Sequence, residues 1–223
     1  MSKKEKSPSE ILQDELEPID HPTEHDESDD LEAAKRLEEP EYEGPLLLHM
    51  TDPSLQRPPT EVDVEKEDLK ELKANLIESM YYYGGVGLSA NQVGIDKKFF
   101  VIGNNLPKDD DVEVFEKAFF NPAVISVSKD EQSVREGCLS FPGLWLMVKR
   151  PVQCTIKYIN SEGEELVESY EGVGARVILH EYDHMLGLNF TMRVSKLKLE
   201  RGIKAVKKKH KKHQRRMAKA LAI

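Results

Sequence analysis

The chain has 223 residues, a formal net charge of −9 and two cysteines, Cys138 and Cys154. That length supports one domain with a real core plus tails, and so few thiols exclude a disulfide-stapled scaffold and point to a reducing, cytoplasmic compartment. No apolar run approaches the roughly 20 residues of a membrane span, the first residues lack the apolar stretch of a secretory signal, and their wealth of acids argues against a transit peptide.

The charge is split along the chain. Residues 1–43 hold 5 Lys and Arg against 16 Asp and Glu, residues 44–190 hold 14 against 24, and residues 191–223 hold 13 against one. The head, residues 1–43, carries the acidic run Glu24 to Asp30 and almost no aromatics. It cannot bury enough apolar surface to offset its ordering entropy, so it is expected to be disordered, with at most a transient helix near Leu31 to Leu37.

The folded body, residues 44–194, is expected to start near Pro45. From about Val64 to Tyr83, the residues Leu69, Leu72, Leu76, Met80 and Tyr83 recur at spacings of three and four, which predicts an amphipathic helix ending at Gly84-Gly85. From there to about residue 171 the pattern reads as β. Phe99 to Ile102 is a buried run, Phe119-Phe120 and Val124 to Val127 flank Asn121-Pro122, and Leu144 to Val148 is a further apolar run. Val152 to Ile159 alternates, and Ser161-Glu162-Gly163 turns the chain into Leu166 to Tyr170. Val173 to Leu186 returns to helical spacing and stops at Gly187. The last segment, residues 195–223, is helix-prone, with Leu199, Ile203 and Val206 on one side and Lys or Arg around the rest. There is no internal repeat. The expected fold class is α+β, with antiparallel β-sheets around a central metal-binding helix, an N-terminal helix and a basic C-terminal helix.

The central helix carries the strongest chemical signal, His180-Glu181-Tyr182-Asp183-His184. Positions i and i+4 share one helix face about 6 Å apart, so two imidazoles so placed can bind one metal ion. Glu181 sits beside them, where its carboxylate can reach a metal-bound water without ligating the ion, as a general base must. Chance histidines on a surface helix are the alternative. A third ligand is required, with one position left open for water. Zinc proteases often take it from a downstream His or Glu, but Met185 to Ser195 contains no His, Glu or Asp. The best upstream donor is Cys138 in Glu136-Gly137-Cys138-Leu139-Ser140, whereas Cys154 lies in an alternating strand and reads as a small buried hydrophobe. A third segment, Gly85-Val86-Gly87-Leu88-Ser89-Ala90-Asn91-Gln92, has no Lys-Ser/Thr to make a phosphate loop. It reads either as a helix stop and turn, or as a glycine-lined wall for an extended peptide with the Gln92 amide as a donor.

Together these segments resemble the peptide deformylase family, which shows Gly-x-Gly-x-Ala-Ala-x-Gln, Glu-Gly-Cys-Leu-Ser and Gln-His-Glu-x-Asp-His in that order. The resemblance covers about residues 45 to 200. It implies a hydrolase acting in protein biosynthesis, removing the formyl group co-translationally from the N-terminal methionine of new chains. It implies Cys138, His180 and His184 as ligands of one divalent ion. Ferrous iron is usual in the family, and Ni2+, Co2+ or Zn2+ suit the same ligands. Glu181 is implied as the base and later the acid, with Gln92 and the backbone N–H of Leu139 stabilising the oxyanion. Val86, Gly87, Gly137 and Val177 would bind the N-formyl-methionyl substrate, with Val86, Val177 and His180 lining a methionine pocket. Glu136 and Asp183 would support the ligands, and Arg150 would partner Asp183. Two departures stand out: Ser89 replaces an Ala, and Leu179 replaces the Gln before the first metal His. Arg176 falls where an apolar pocket residue is expected, and is expected to snorkel outward. The basic C-terminal tail, by likeness to bacterial relatives, would dock on ribosomal RNA, with pairing to the acidic head as a second possibility. A monomer without membrane contact is expected. A zinc endopeptidase and an inactive metal-binding module are the rival readings.

Overall fold

The computed structural model describes Tyr42, residues 44–104 and residues 115–220. The expected disorder of residues 1–43 and the expected helix at Leu31–Leu37 lie outside the described residues except at Tyr42, whose ring stacks on Tyr82.

The first α-helix among the described residues, α1 (Leu69–Tyr82), begins later than its apolar spacing suggests. The cause is Asp68, whose carboxylate accepts from the backbone N–H groups of Lys70 and Glu71 at 3.1 Å each. Residues 64–67 form turns instead, with Lys66 and Glu67 N–H bonded to the Asp63 carbonyl. The helix stops where expected, with Gly84 in the left-handed region at φ +69°.

Seven strands follow among the described residues: β1 (Gly87–Ser89), β2 (Phe99–Gly103), β3 (Glu116–Val127), β4 (Glu131–Glu136), β5 (Leu146–Pro151), β6 (Gln153–Ile159) and β7 (Glu165–Glu171). Five form one antiparallel sheet in the order β1-β2-β3-β6-β7, and β4 pairs with β5 in a separate two-stranded sheet. The apolar run of β2 does not alternate because both faces of the sheet are covered. Phe99 and Val101 pack with Leu76, Ile77 and Met80 of α1, while Phe100 and Ile102 pack with Ala175, Ile178 and Leu179 of α2 (Gly172–Met185). Each phenylalanine stacks on its neighbour in β3, Phe99 on Phe120 and Phe100 on Phe119, with ring centroids 4.9 and 4.7 Å apart. Asn121-Pro122 does not end a strand. β3 runs through it as a bulge, with Asn121 at φ +48° and its side-chain amide bonded to both backbone groups of Val62.

α2 ends at Gly187, which takes φ +67° and lies so close to the Arg57 backbone that a Cβ would come within 2.8 Å of it. A short 3-10 turn, Phe190–Arg193, then leads into α3 (Lys196–Ala220). Leu199 and Ile203 of α3 are buried with Phe141, Leu144, Leu146, Val148 and Phe190, and Val206 packs at the edge of the same cluster. The architecture is α+β, with the central helix against one face of the larger sheet as the sequence predicts. No helix among the described residues is long and apolar enough to cross a membrane.

Candidate active site

The two histidines of α2 stand one turn apart, ring centroids 5.5 Å from each other, and face the loop after β4 that carries Cys138. One donor atom from each of Cys138, His180 and His184 lies within 4.8 Å of the others, and Cys138 Sγ is 3.5 Å from His184 Nε2. A tetrahedral ion with sulfur at ~2.3 Å and nitrogen at ~2.0 Å would set such a pair about 3.5 Å apart. The thiol and two imidazoles therefore fit a divalent ion in both chemistry and spacing.

His180 Nδ1 faces Glu136 Oε2 at 3.3 Å, which leaves Nε2 for the cluster. Burial alone would lower the His180 pKa, but hydrogen bonds to Cys138 and Glu136 hold it up at about 10. The same lone pair would bind a metal, so ion and proton exclude each other there. His184 is pushed the other way, to about 3, by burial and by the charge on His180. Its lone pair is thus free without any proton to displace.

Behind the ligands lies a buried charge network. Arg150, pointing inward from β5, donates from Nε to both Glu136 oxygens at 2.8 and 3.1 Å, from Nη1 to Asp183 Oδ2 at 2.8 Å, and to the Leu179 carbonyl at 3.1 Å. The Arg150–Asp183 pairing expected from the family pattern is present. Arg193 closes on Asp183 from the 3-10 turn. Burial raises both carboxyls, yet the surrounding donors outweigh it: Glu136 falls to about 2 through His180 and Arg150, and Asp183 falls below its usual range through Arg193 and Arg150. Both stay ionised.

Arg176 corrects an expectation. It does not snorkel outward: its side chain is 13% exposed. Its guanidinium bonds Glu136, the Val148 carbonyl at 3.2 Å and the Gln132 carbonyl at 2.7 Å. The β4–β5 hairpin lies beside this turn of α2 and offers it a carboxylate and two carbonyls, a better partner set than a surface position.

Glu181 is 4% exposed and accepts from Ser89 Oγ at 2.7 Å. Burial raises its pKa, against the charge on His180 and the Ser89 hydrogen bond. Gln92 sits in the 3-10 turn after β1. Its oxygen accepts from Ser89 N–H at 2.9 Å, and its Nε2 points at Cys138 Sγ and Ser140 Oγ, 3.2 Å from each. Gly87 is required by close approach, since a Cβ there would lie 2.7 Å from Glu181 Oε1 and 2.9 Å from Val177 Cγ1.

These groups line one cleft of about 520 Å³. Val86, Gly87, Gln92, Gly137, Cys138, Leu139, Val177, His180 and Glu181 all contribute to it, and Glu136 and Arg176 reach its wall. His184, Asp183 and Arg150 lie behind that surface. β1 is the edge of the five-stranded sheet beside the cleft, so its backbone is placed to add an extended peptide as a further strand. Sequence reasoning passed over two residues here. Ser89 counts only as a small replacement until its hydroxyl is seen on Glu181, and Arg193 is brought to Asp183 by a turn with no sequence signature.

A Cys-His-His donor set with a carboxylate beside the first histidine, at the floor of a cleft flanked by a sheet edge, is the constellation of a metal-dependent hydrolase. The family model for polypeptide deformylase matches residues 46–200. The peptide deformylase of Thermotoga maritima is 38% identical over 147 residues, covering 66% of this chain and 85% of that protein. That of Phenylobacterium zucineum is 35% identical over 162 residues, covering 73% and 94%. Among solved structures, a peptide deformylase from Synechococcus elongatus in complex with actinonin superposes with a TM-score of 0.67 at 30% identity, covering 75% of this chain and 88% of that one. The chain belongs to the polypeptide deformylase family, enzymes that remove the N-formyl group from nascent peptides.

Proposed function

We propose that this chain deformylates the N-terminal methionine of nascent polypeptides in the cytoplasm, with Cys138, His180 and His184 holding one divalent ion and Glu181 handling the proton. The observation that carries the reading is the convergence of Glu181, Gln92 and the three ligands on one cleft. Ferrous iron is the ion we favour, and Ni2+, Co2+ or Zn2+ suit the same donors. Such an ion supplies an acidified water and polarises a carbonyl.

The residues do the rest. The formyl-methionyl backbone lies along Gly87 at the edge of β1, opposite Gly137. Its side chain enters between Val86, Val177 and His180. Arg176 lines this region, but with its guanidinium turned to Glu136 and two carbonyls it presents no unpaired cation, which supports an apolar pocket. Glu181, raised by burial, takes a proton from water and later delivers it to the leaving amine. Charge developing on the formyl oxygen meets Gln92 Nε2 and the Leu139 N–H, donors typically worth about 3 kcal/mol each in the barrier. Glu136, Arg150 and Asp183 hold the histidine pair in register. The chain acts as a monomer made of the acidic head at residues 1–43, the catalytic body at 44–194 and the basic tail at 195–223, and the tail docks it on ribosomal RNA, away from membranes. An endopeptidase reading lacks support, because the third donor comes from Cys138 ahead of α2 rather than from the segment after it.

Formate release from formyl-Met-Ala-Ser tests the reading. Glu181→Ala is expected to lower kcat by about 10²–10⁴ while bound metal is retained. Unchanged formate release in this variant, or equal rates for formyl-Met and formyl-Ala peptides, would count against the base and the pocket respectively.

A further inference from the structure

The basic end of the chain leaves the body partway along α3. Leu199, Ile203 and Val206 pack into the core cluster, and beyond them the helix is exposed on nearly every side up to Arg216. Lys204, Lys208, Lys211, Lys212, Arg215 and Arg216 are all exposed, and none forms an ion pair with a described residue. Several stand three or four residues apart, where like charges repel and weaken a helix. Such a surface calls for an anionic occupant.

The chain carries one. Glu24, Asp26, Glu27, Asp29 and Asp30 place five acids within seven residues. The point from which this segment departs is fixed: the Tyr42 ring stacks on Tyr82 with centroids 3.9 Å apart, and its hydroxyl bonds Ser79 Oγ at 2.8 Å. Met50, eight residues on, is buried in the same cluster as Leu199 and Ile203. Eight residues span at most about 28 Å, so Tyr42 is held within that distance of Met50, which shares its cluster with the α3 anchor. The acidic run lies 12 to 18 residues before Tyr42. Fully extended, 12 to 18 residues reach at most about 43–65 Å, and the Lys204–Arg216 stretch is about 20 Å long. Covalent attachment makes the meeting of the run and the basic face intramolecular, at an effective concentration on the order of millimolar.

We propose that the acidic run Glu24–Asp30 docks on the exposed basic face of α3 and shields it from other polyanions. Any nucleic acid that uses this face must first displace the run, so the head sets both the affinity and the salt range of that binding. This inference is independent of the deformylation chemistry.

Carbodiimide, which joins a carboxylate to a lysine without a spacer, tests it on the full chain in an equimolar mixture of light and 15N-labelled protein. Intrachain links from residues 24–30 to Lys204, Lys208, Lys211 or Lys212 are expected, and 0.5 M salt should abolish them. Absence of these links, or links of which about half join a light to a heavy chain, the statistical mixture of intermolecular joining, overturns the proposal. Heparin affinity gives a second reading. Neutralising Glu24, Asp26, Glu27, Asp29 and Asp30 to Gln or Asn should raise the eluting salt at least twice as far as neutralising the exposed body acids Glu61, Glu65, Glu162, Glu164 and Glu165. Equal shifts would mean that only net charge matters, and would also overturn it.

Discussion

Ser89 shows how a single hydroxyl can matter in a site whose larger features are plain. It donates at 2.7 Å to the carboxylate of Glu181 while its backbone N–H holds the Gln92 oxygen at 2.9 Å. One residue thereby orients both the Glu181 carboxylate and the Gln92 amide, the groups proposed above as proton carrier and oxyanion donor. Only the hydroxyl depends on side-chain identity. Ser89→Ala should therefore free Glu181 without disturbing Gln92, lowering kcat about tenfold, or ~1.4 kcal/mol in the barrier, with KM and metal content unchanged. Ser89→Thr keeps the hydroxyl and should recover most of the loss. Steady-state kinetics with metal analysis decides the matter: an unaltered kcat in the alanine variant would leave Glu181 positioned by packing against Gly87 and Val177 alone. The candidate metal-ligand cluster is far more legible than this contact. His180 and His184 announce themselves by their i, i+4 spacing on a helix, and Cys138 by elimination of downstream donors. A hydroxyl touching a carboxylate 92 residues away leaves no local pattern in the chain.

At the level of elements, legibility follows burial pattern. α2 was readable because its inward face repeats every three to four residues and a glycine ends it. β4 was not: Val134 is its lone aliphatic residue and the rest are polar or charged, so neither alternation nor apolar run marks it. It exists because β5 pairs with it along its whole length. Without the β4–β5 hairpin in view, neither the burial of Arg176 nor the route of Arg150 to Glu136 can be inferred. Arg150 joins β4, β5 and α2 through Glu136, Asp183 and the Leu179 carbonyl. Removing it in Arg150→Met leaves two buried carboxylates short of a partner, which should cost about 3 kcal/mol in urea unfolding. Arg150→Lys should not restore it, since an ammonium cannot fork across three acceptors; recovery by lysine would show that charge alone suffices. The central and edge strands β3 and β7, on either side of β6, carry a separate, titratable tie. Lys117 on β3 donates to both oxygens of Glu168 on β7 at 2.9 and 2.7 Å. Burial raises the Glu168 pKa, but the Lys117 and Tyr170 hydrogen bonds outweigh it and hold it below the ordinary 4.5. A carboxylate whose folded pKa lies below its unfolded one adds stability above the unfolded value and loses it as pH falls through the folded one. Glu168→Gln should therefore lower Tm at pH 7, and the difference from the parent chain should shrink as pH falls below 4.5. A Tm difference that stays constant across this range would mean the tie is not ionic.

Across the whole molecule, the question is where the catalytic body ends. Composition divides the chain at residue 195, where acids give way to Lys and Arg, and the family match extends five residues further, to 200. Packing draws the line later. Leu199 and Ile203 are each 1% exposed and close a cluster with Phe141, Leu144, Leu146 and Phe190, which lies directly beneath the Cys138 loop. Burying a side chain of this size contributes about 1.5–3 kcal/mol, so the first two turns of α3 act as part of the body while the remainder presents charge. Two truncations separate these roles. Ending the chain after Val206 removes most of the basic surface but none of the buried contacts, and should leave urea stability within about 0.5 kcal/mol of the full chain. Ending it after Ser195 strips both aliphatic anchors and exposes two phenylalanines, and should cost about 3–5 kcal/mol. It should also lower metal occupancy, since Cys138 packs on that cluster. Equal stability of the two truncated chains would mean that α3 rests on the body without supporting it, and the compositional boundary would then be the physical one.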